Sequence, residues 1–144
     1  MAKVSTYINF PGNTEAAFTF YKSVFKSEFM GDVMRYHDVP PGQSDMQVPE
    51  KDKNLVMHVT LPIMGDHYLM GTDVTESMGF GVKAGNQMYI VLDPDSKEET
   101  DRLFKALSEG GRVETELQDM FWGDYYGACV DKFGIQWMFN HTKK

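Results

Sequence analysis

His58 is the side chain best placed in this sequence to move a proton or donate a lone pair. Over residues 55–63, Leu55, Met57, Val59, Leu61 and Ile63 are apolar and alternate with the others, as in a half-buried strand. His58 falls out of phase with them and so points to the opposite face. There it could act as a general base near neutral pH or as a ligand donor. The other reading is a hydrogen-bonded structural histidine. His37, His67 and His141 fall at element edges and read as surface residues. Asp73 could hold a hydroxyl or amine of a ligand, or it could cap a turn. Glu76 is loop-borne, and no second carboxylate stands at the spacing of a paired acid–base site.

The densest aromatic region holds Trp122, Tyr125, Tyr126 and Trp137. These rings could stack on a planar or apolar ligand, with tyrosine hydroxyls orienting it. Alternatively Phe121 and Trp122 plug a groove or pack between halves of the chain. Eleven methionines and an aromatic content of 13% fit either ordinary core filling or a broad apolar pocket with soft walls. Cys129, between Ala128 and Val130, has no histidine at a recognisable spacing and reads as a small core residue.

These residues need elements to position them. Residues 4–10 read as a strand closed by Pro11-Gly12. Asn13 then stands as N-cap of a helix over 14–26, where Ala17, Phe18, Tyr21, Val24 and Phe25 form one apolar stripe. Residues 28–36 are strand-like. The segment 37–53 carries Pro40, Pro41, Pro49 and Gly42 and reads as an irregular loop. Strands follow at 55–63, with Pro62 at its end or edge, and at 67–72. Residues 73–85, broken by Gly79, Gly81 and Gly85, form a connection.

The second half repeats the order. A strand at 87–92 stops at Asp93-Pro94. Ser96 and Glu99 have capping-box spacing, and Thr100, Leu103, Phe104 and Leu107 supply a buried helix face that ends at Gly110-Gly111. Strands at 112–117, 125–131 and 135–140 complete it, the last two joined through Lys132-Phe133-Gly134. Strand, helix and three strands thus occur twice, near 1–73 and 84–144. An open sheet with one apolar face needs a cover. The expected architecture is one α+β domain of two βαβββ modules enclosing a U-shaped groove.

Composition narrows the function. The 144 residues are one domain's worth of chain, with hydrophobic and charged contents near those of ordinary globular domains. A net charge of -7 and the absence of a basic stripe disfavour a nucleic-acid partner; Lys143 and Lys144 read as a solvated tail. No apolar run approaches the roughly 18 residues of a membrane span, and Met1-Ala2-Lys3-Val4 does not open a signal peptide. One cysteine permits no internal disulfide, so a cytoplasmic location is expected.

The layout resembles the vicinal-oxygen-chelate superfamily, which includes glyoxalase I, extradiol dioxygenases and fosfomycin-resistance enzymes. The stretch from Asn13 through Ala16-Ala17-Phe18 to Phe20-Tyr21 is similar to a helix-one pattern of the family. More specific is Phe121-Trp122-Gly123-Asp124-Tyr125-Tyr126-Gly127, followed by Asp131, Phe133-Gly134 and Trp137. It resembles the signature of the PhnB-like group, proteins also labelled 3-demethylubiquinone methyltransferase-like. No glycine-rich loop of the kind that cradles a nucleotide cofactor accompanies that label. The superfamily's metalloenzymes place a His, Glu or Gln on the first and last strand of each half. By the resemblance those positions fall near Thr6, Met70, Gln87 and Met138, with a one-residue slip allowed. Only Gln87 is a weak ligand candidate, so neither metal nor cofactor is expected.

Two functions compete. One is metal-independent binding of a small, partly apolar molecule in the groove by His58, Met70, Asp73, Gln87, Trp122, Tyr126, Trp137 and Met138. The other is a glyoxalase- or dioxygenase-related lyase or isomerase with a non-standard or absent metal site and His58 as its best catalytic candidate. A purely structural dimer, its groove filled by Trp122 and Trp137, is a third. The resemblance also implies a homodimer.

Overall fold

The structure is a computed structural model that describes residues 2–40, 42–43 and 47–142. Pro41, one of the expected loop prolines, and the expected Lys143–Lys144 tail lie outside the described residues. The chain divides into two compact units, Met1–Lys83 and Ala84–Lys144. Each unit has a four-stranded mixed sheet and one long helix, an α+β arrangement repeated twice.

Module one contains β1 (Thr6–Phe10), α1 (Thr14–Phe25), β2 (Met34–Arg35), β3 (Val56–Pro62) and β4 (Tyr68–Asp73), with strand order β1-β4-β3-β2. β1 runs parallel to β4, pairing Tyr7 with Met70, while β3 runs antiparallel to β4, pairing Thr60 with Met70. The apolar stripe of α1 packs on one face of this sheet. Phe18 meets Phe10 edge-on, with ring centroids 6.0 Å apart, and is itself fully buried. Gly71 permits this approach, because a Cβ there would stand 2.5 Å from the Phe18 ring.

Module two follows the same plan with β5 (Ile90–Leu92), α2 (Lys97–Ser108), β6 (Arg112–Asp119), β7 (Tyr125–Val130) and β8 (Gln136–His141), in the order β5-β8-β7-β6. Phe104 of α2 meets Phe139 of β8 at 5.3 Å. Gly127 plays the part of Gly71, with Leu117 and Phe104 over the space a Cβ would need.

The two helices start differently. Ser96 caps α2 as expected, its hydroxyl accepting from the Glu99 backbone N–H at 3.1 Å. Asn13 stands at the expected N-cap position of α1, its carbonyl accepting the Ala17 N–H at 3.1 Å. Asn13 adopts φ −118° and ψ 26° and its side chain makes no cap bond. Instead the Asp73 carboxylate, at the end of β4, accepts the Thr14 backbone N–H at 2.9 Å.

Two expected strands are also shortened. The segment expected as strand at 28–36 pairs only at Met34–Arg35. Gly31 takes φ 76°, and the Met30 N–H reaches the Thr60 carbonyl at 2.9 Å, so the chain bulges before β2 begins. The strand expected from residue 87 starts at Ile90. Here the Gln136 side-chain amide takes the Met88 carbonyl at 2.7 Å, where a ladder partner would otherwise stand.

Candidate functional site

Strand alternation leaves each sheet a second face, opposite its helix. In module one Tyr7 and Met70 are cross-strand partners on that face, Thr60 is the partner of Met70 on the other side, and Met34 pairs with His58. The Tyr7 and His58 rings lie nearly parallel, at 28°, with centroids 5.9 Å apart. His58 Nε2 and the Thr60 hydroxyl are 2.9 Å apart, which fixes how the imidazole is turned. Tyr7 is 53% exposed and Met34 42% exposed, whereas Met70 and His58 are half-buried. Tyr36 closes one end: its hydroxyl donates to the Asp73 carbonyl at 2.6 Å, and burial pushes its phenol above the ordinary tyrosine range. This face therefore offers an aromatic ring, thioethers, one imidazole and hydroxyls, with no carboxylate on its strand residues.

The corresponding face of module two carries Val91 beside Met138, Ala128 next to Met138, and Tyr126 beside Asn140. Trp122, in the turn between β6 and β7, packs edge-on against Tyr126 at 6.3 Å and is half exposed. Its indole N–H donates to Asp124, which also accepts from the Asn140 side chain. Tyr89, just before β5, donates to Glu114 of β6 at 2.6 Å, and that carboxylate raises its phenol pKa. A tyrosine–glutamate pair thus joins the two edges of this sheet.

The residues singled out from the sequence therefore separate. His58 and Met70 share one face, and Trp122, Tyr126 and Met138 gather on another. Asp73 belongs to neither. It is 1% exposed, and its two carboxylate oxygens accept the Thr14 and Val56 backbone N–H groups. Trp137 is fully buried with its indole donating to Asp131, on the side of β8 where Phe139 meets α2. Gln87 lies in an exposed bend ahead of β5. Cys129 is fully buried, and burial, with Asp131 and Glu114 nearby, pushes its thiol up to about 12. His67 meets the Thr6 hydroxyl at 2.7 Å, His141 the Pro94 carbonyl at 2.7 Å, and His37 is an exposed partner of Asp38. Three members of the first face, Tyr7, Met34 and Thr60, did not emerge from the sequence as site residues. Tyr7 was reachable as the one-residue slip from Thr6; Met34 was hidden by the irregular segment before it.

A family model described as 3-demethylubiquinone-9 3-methyltransferase matches residues 2–139. The chain belongs to this PhnB-like family, and it shares its fold with a glyoxalase/bleomycin resistance/dioxygenase family protein from Burkholderia phytofirmans. Among solved structures, a Pseudomonas aeruginosa protein is 30% identical, with all of both chains covered and a TM-score of 0.80. A PhnB protein from Bacillus cereus is 25% identical over 98% of this chain and all of its own, with a TM-score of 0.75. The Escherichia coli protein YjdN is 28% identical, covering 98% of this chain and 96% of its own.

The resemblance to the vicinal-oxygen-chelate superfamily raises a divalent ion, and the residues present do not fit it. The paired first and last strands carry Tyr7 and Met70 in module one, and Val91 and Met138 in module two. None is an imidazole or a carboxylate, the donors that hard and borderline ions require. Among the described residues no three His, Cys, Asp or Glu side chains cluster at ligand spacing.

Proposed function

We propose that this PhnB-like protein binds a small, planar, partly apolar molecule on the helix-free face of module one without a divalent ion. The observation that carries the reading is the Tyr7–His58 stack, flanked by Met34 and Met70 on a half-exposed surface. An aromatic ring and polarizable thioethers favour a flat apolar ligand, and the imidazole with the Tyr7 and Thr60 hydroxyls can orient its polar edge. Burying roughly 200 Å² of apolar surface contributes about 5 kcal/mol. Association costs absorb much of that, so the polar contacts decide which ligand is held.

The test uses protein labelled at the methionine methyl carbons, titrated with 1-naphthoate and a panel of phenols. Perturbation of the Met34 and Met70 methyls, lost in Tyr7→Ala, supports the reading. Perturbation confined to Met138, or none across the panel, overturns it. A lyase or isomerase reading draws on one observation, the Thr60 hydroxyl that orients His58 as a base. Turnover abolished by His58→Gln with binding retained would establish it. The working protein is taken to be a cytoplasmic homodimer, in keeping with one buried free thiol and exposed apolar groups such as Phe121, 97% exposed. Light scattering in solution checks the dimer. No helix among the described residues is long and apolar enough to cross a membrane.

A further inference from the structure

The helix-free face of module one holds an unusual concentration of sulfur around one imidazole. Met34 stands directly across the strand pair from His58. Met70 is the partner of Thr60, which places it diagonally from His58 on the neighbouring strand. Diagonal neighbours lie about 7–8 Å apart at Cα, within reach of long side chains. The Met30 backbone N–H bonds the Thr60 carbonyl, bringing a third methionine to the same stretch of β3.

We propose that Met34, Met70 and His58 form a binding site for a soft monovalent cation, Cu(I), with Met30 available as a further thioether. The inference uses the same face as the proposed ligand site but does not require an organic ligand to be bound.

Three observations carry it. The first is exposure. Core-filling methionine is buried, as Met78 is at 8%, whereas Met30 is 48% and Met34 42% exposed. Side chains that cover no core are free to turn toward an ion. The second is donor chemistry. Thioether sulfur and imidazole nitrogen select Cu(I), while carboxylates and water suit magnesium, calcium or manganese. The strand residues of this face supply the soft set and no carboxylate, so the residues that fail the superfamily's divalent ion suit a soft one. The third is the orientation of His58. His58 Nε2 and the Thr60 hydroxyl are 2.9 Å apart; in the tautomer whose Nε2–H donates to that hydroxyl, the lone pair of Nδ1 is left for a metal. A hydrogen bond on the second ring nitrogen is what holds most ligating histidines in place.

The experiment titrates the full-length protein with Cu(I), kept reduced under anaerobic conditions, against a chromophoric Cu(I) chelator. Ag(I) serves as a redox-silent probe for methionine-methyl NMR. One equivalent of Cu(I) should be withdrawn from the chelator, and Ag(I) should move the Met34 and Met70 methyls but not Met88. The double variant Met34→Leu/Met70→Leu should weaken Cu(I) binding by about 100-fold or more. Leucine conserves volume and apolar surface, so folding should survive, read as an unchanged urea unfolding midpoint. The titration contains no organic ligand, so its outcome is independent of 1-naphthoate binding, and failure of the ion site is distinguished from failure of the ligand site. No withdrawal by the wild type, Ag(I) shifts confined to other methionines, or undiminished Cu(I) binding in the double variant, as Cys129 would give, would each overturn the proposal.

Discussion

Module one secures the start of its helix from a distance, whereas module two does so locally. Asp73, fifty-nine residues from Thr14 in sequence, reaches α1 only because β4 lies beside β1. The same carboxylate holds the Val56 N–H at the start of β3. Ser96 caps α2 from the adjacent position, its hydroxyl accepting a backbone N–H of the helix itself. A local cap can form before the module does; a remote one exists only once the sheet is built. The start of α1 is therefore tied to the completion of its sheet, while α2 carries its own start signal.

The sharpest way to break this comparison is Asp73→Ala. Two buried N–H groups would lose a charged acceptor, and the expected cost is about 3 kcal/mol, read from urea unfolding. A loss below about 1 kcal/mol would show that the remote cap is no stronger than a local one. Next comes Gly71→Ala, expected to cost about 2 kcal/mol by thermal unfolding, because the clash is with the fully buried Phe18 ring. Gly127→Ala in module two should cost less, since the nearest atom is a terminal methyl of the half-buried Leu117. Equal losses would remove that distinction. Ser96→Ala should cost about 1 kcal/mol, a third of the Asp73 effect.

The smallest effect concerns alkaline pH. The Asp101 carboxylate beside Tyr125 raises that phenol to about 12. The folded state holds the proton more tightly than the unfolded chain, whose tyrosine titrates near 10. The stabilisation is fully present below about pH 10 and is lost as pH rises through about 12. Tyr125→Phe should therefore show a flatter stability profile across that window, measured by chemical unfolding at stepped pH.

Much of the fold was legible because periodicity and capping are local signals. The stripe of α1, the Ser96 cap and the alternation of β3 all lie within a dozen residues of themselves. The role of Asp73 was not, since it depends on which strand end meets which helix. The Asp131 motif shows the same limit in finer detail. It was recognisable as a signature, yet whether Trp137 stacks on a ligand or packs in the core stayed open. The structure resolves this: Asp131 accepts the Phe133 and Ile135 N–H groups and the Trp137 indole, so the motif builds the turn between β7 and β8. The candidate site was legible at His58, through its phase in β3. Tyr7 and Met34 depend on strand register, which a single sequence does not reveal when a bulge precedes a two-residue strand.

Cys129 has a consequence outside binding and catalysis. Its sulfur sits in the middle of β7, between strands on both sides, with no surface exposed and a thiol pushed up to about 12. Alkylating reagents attack the thiolate, so the native protein should be silent toward them at neutral pH. Labelling then requires β7 to leave its sheet. The rate at which iodoacetamide accumulates on this single sulfur is accordingly a built-in clock for the opening of module two, readable by intact mass without any engineered probe.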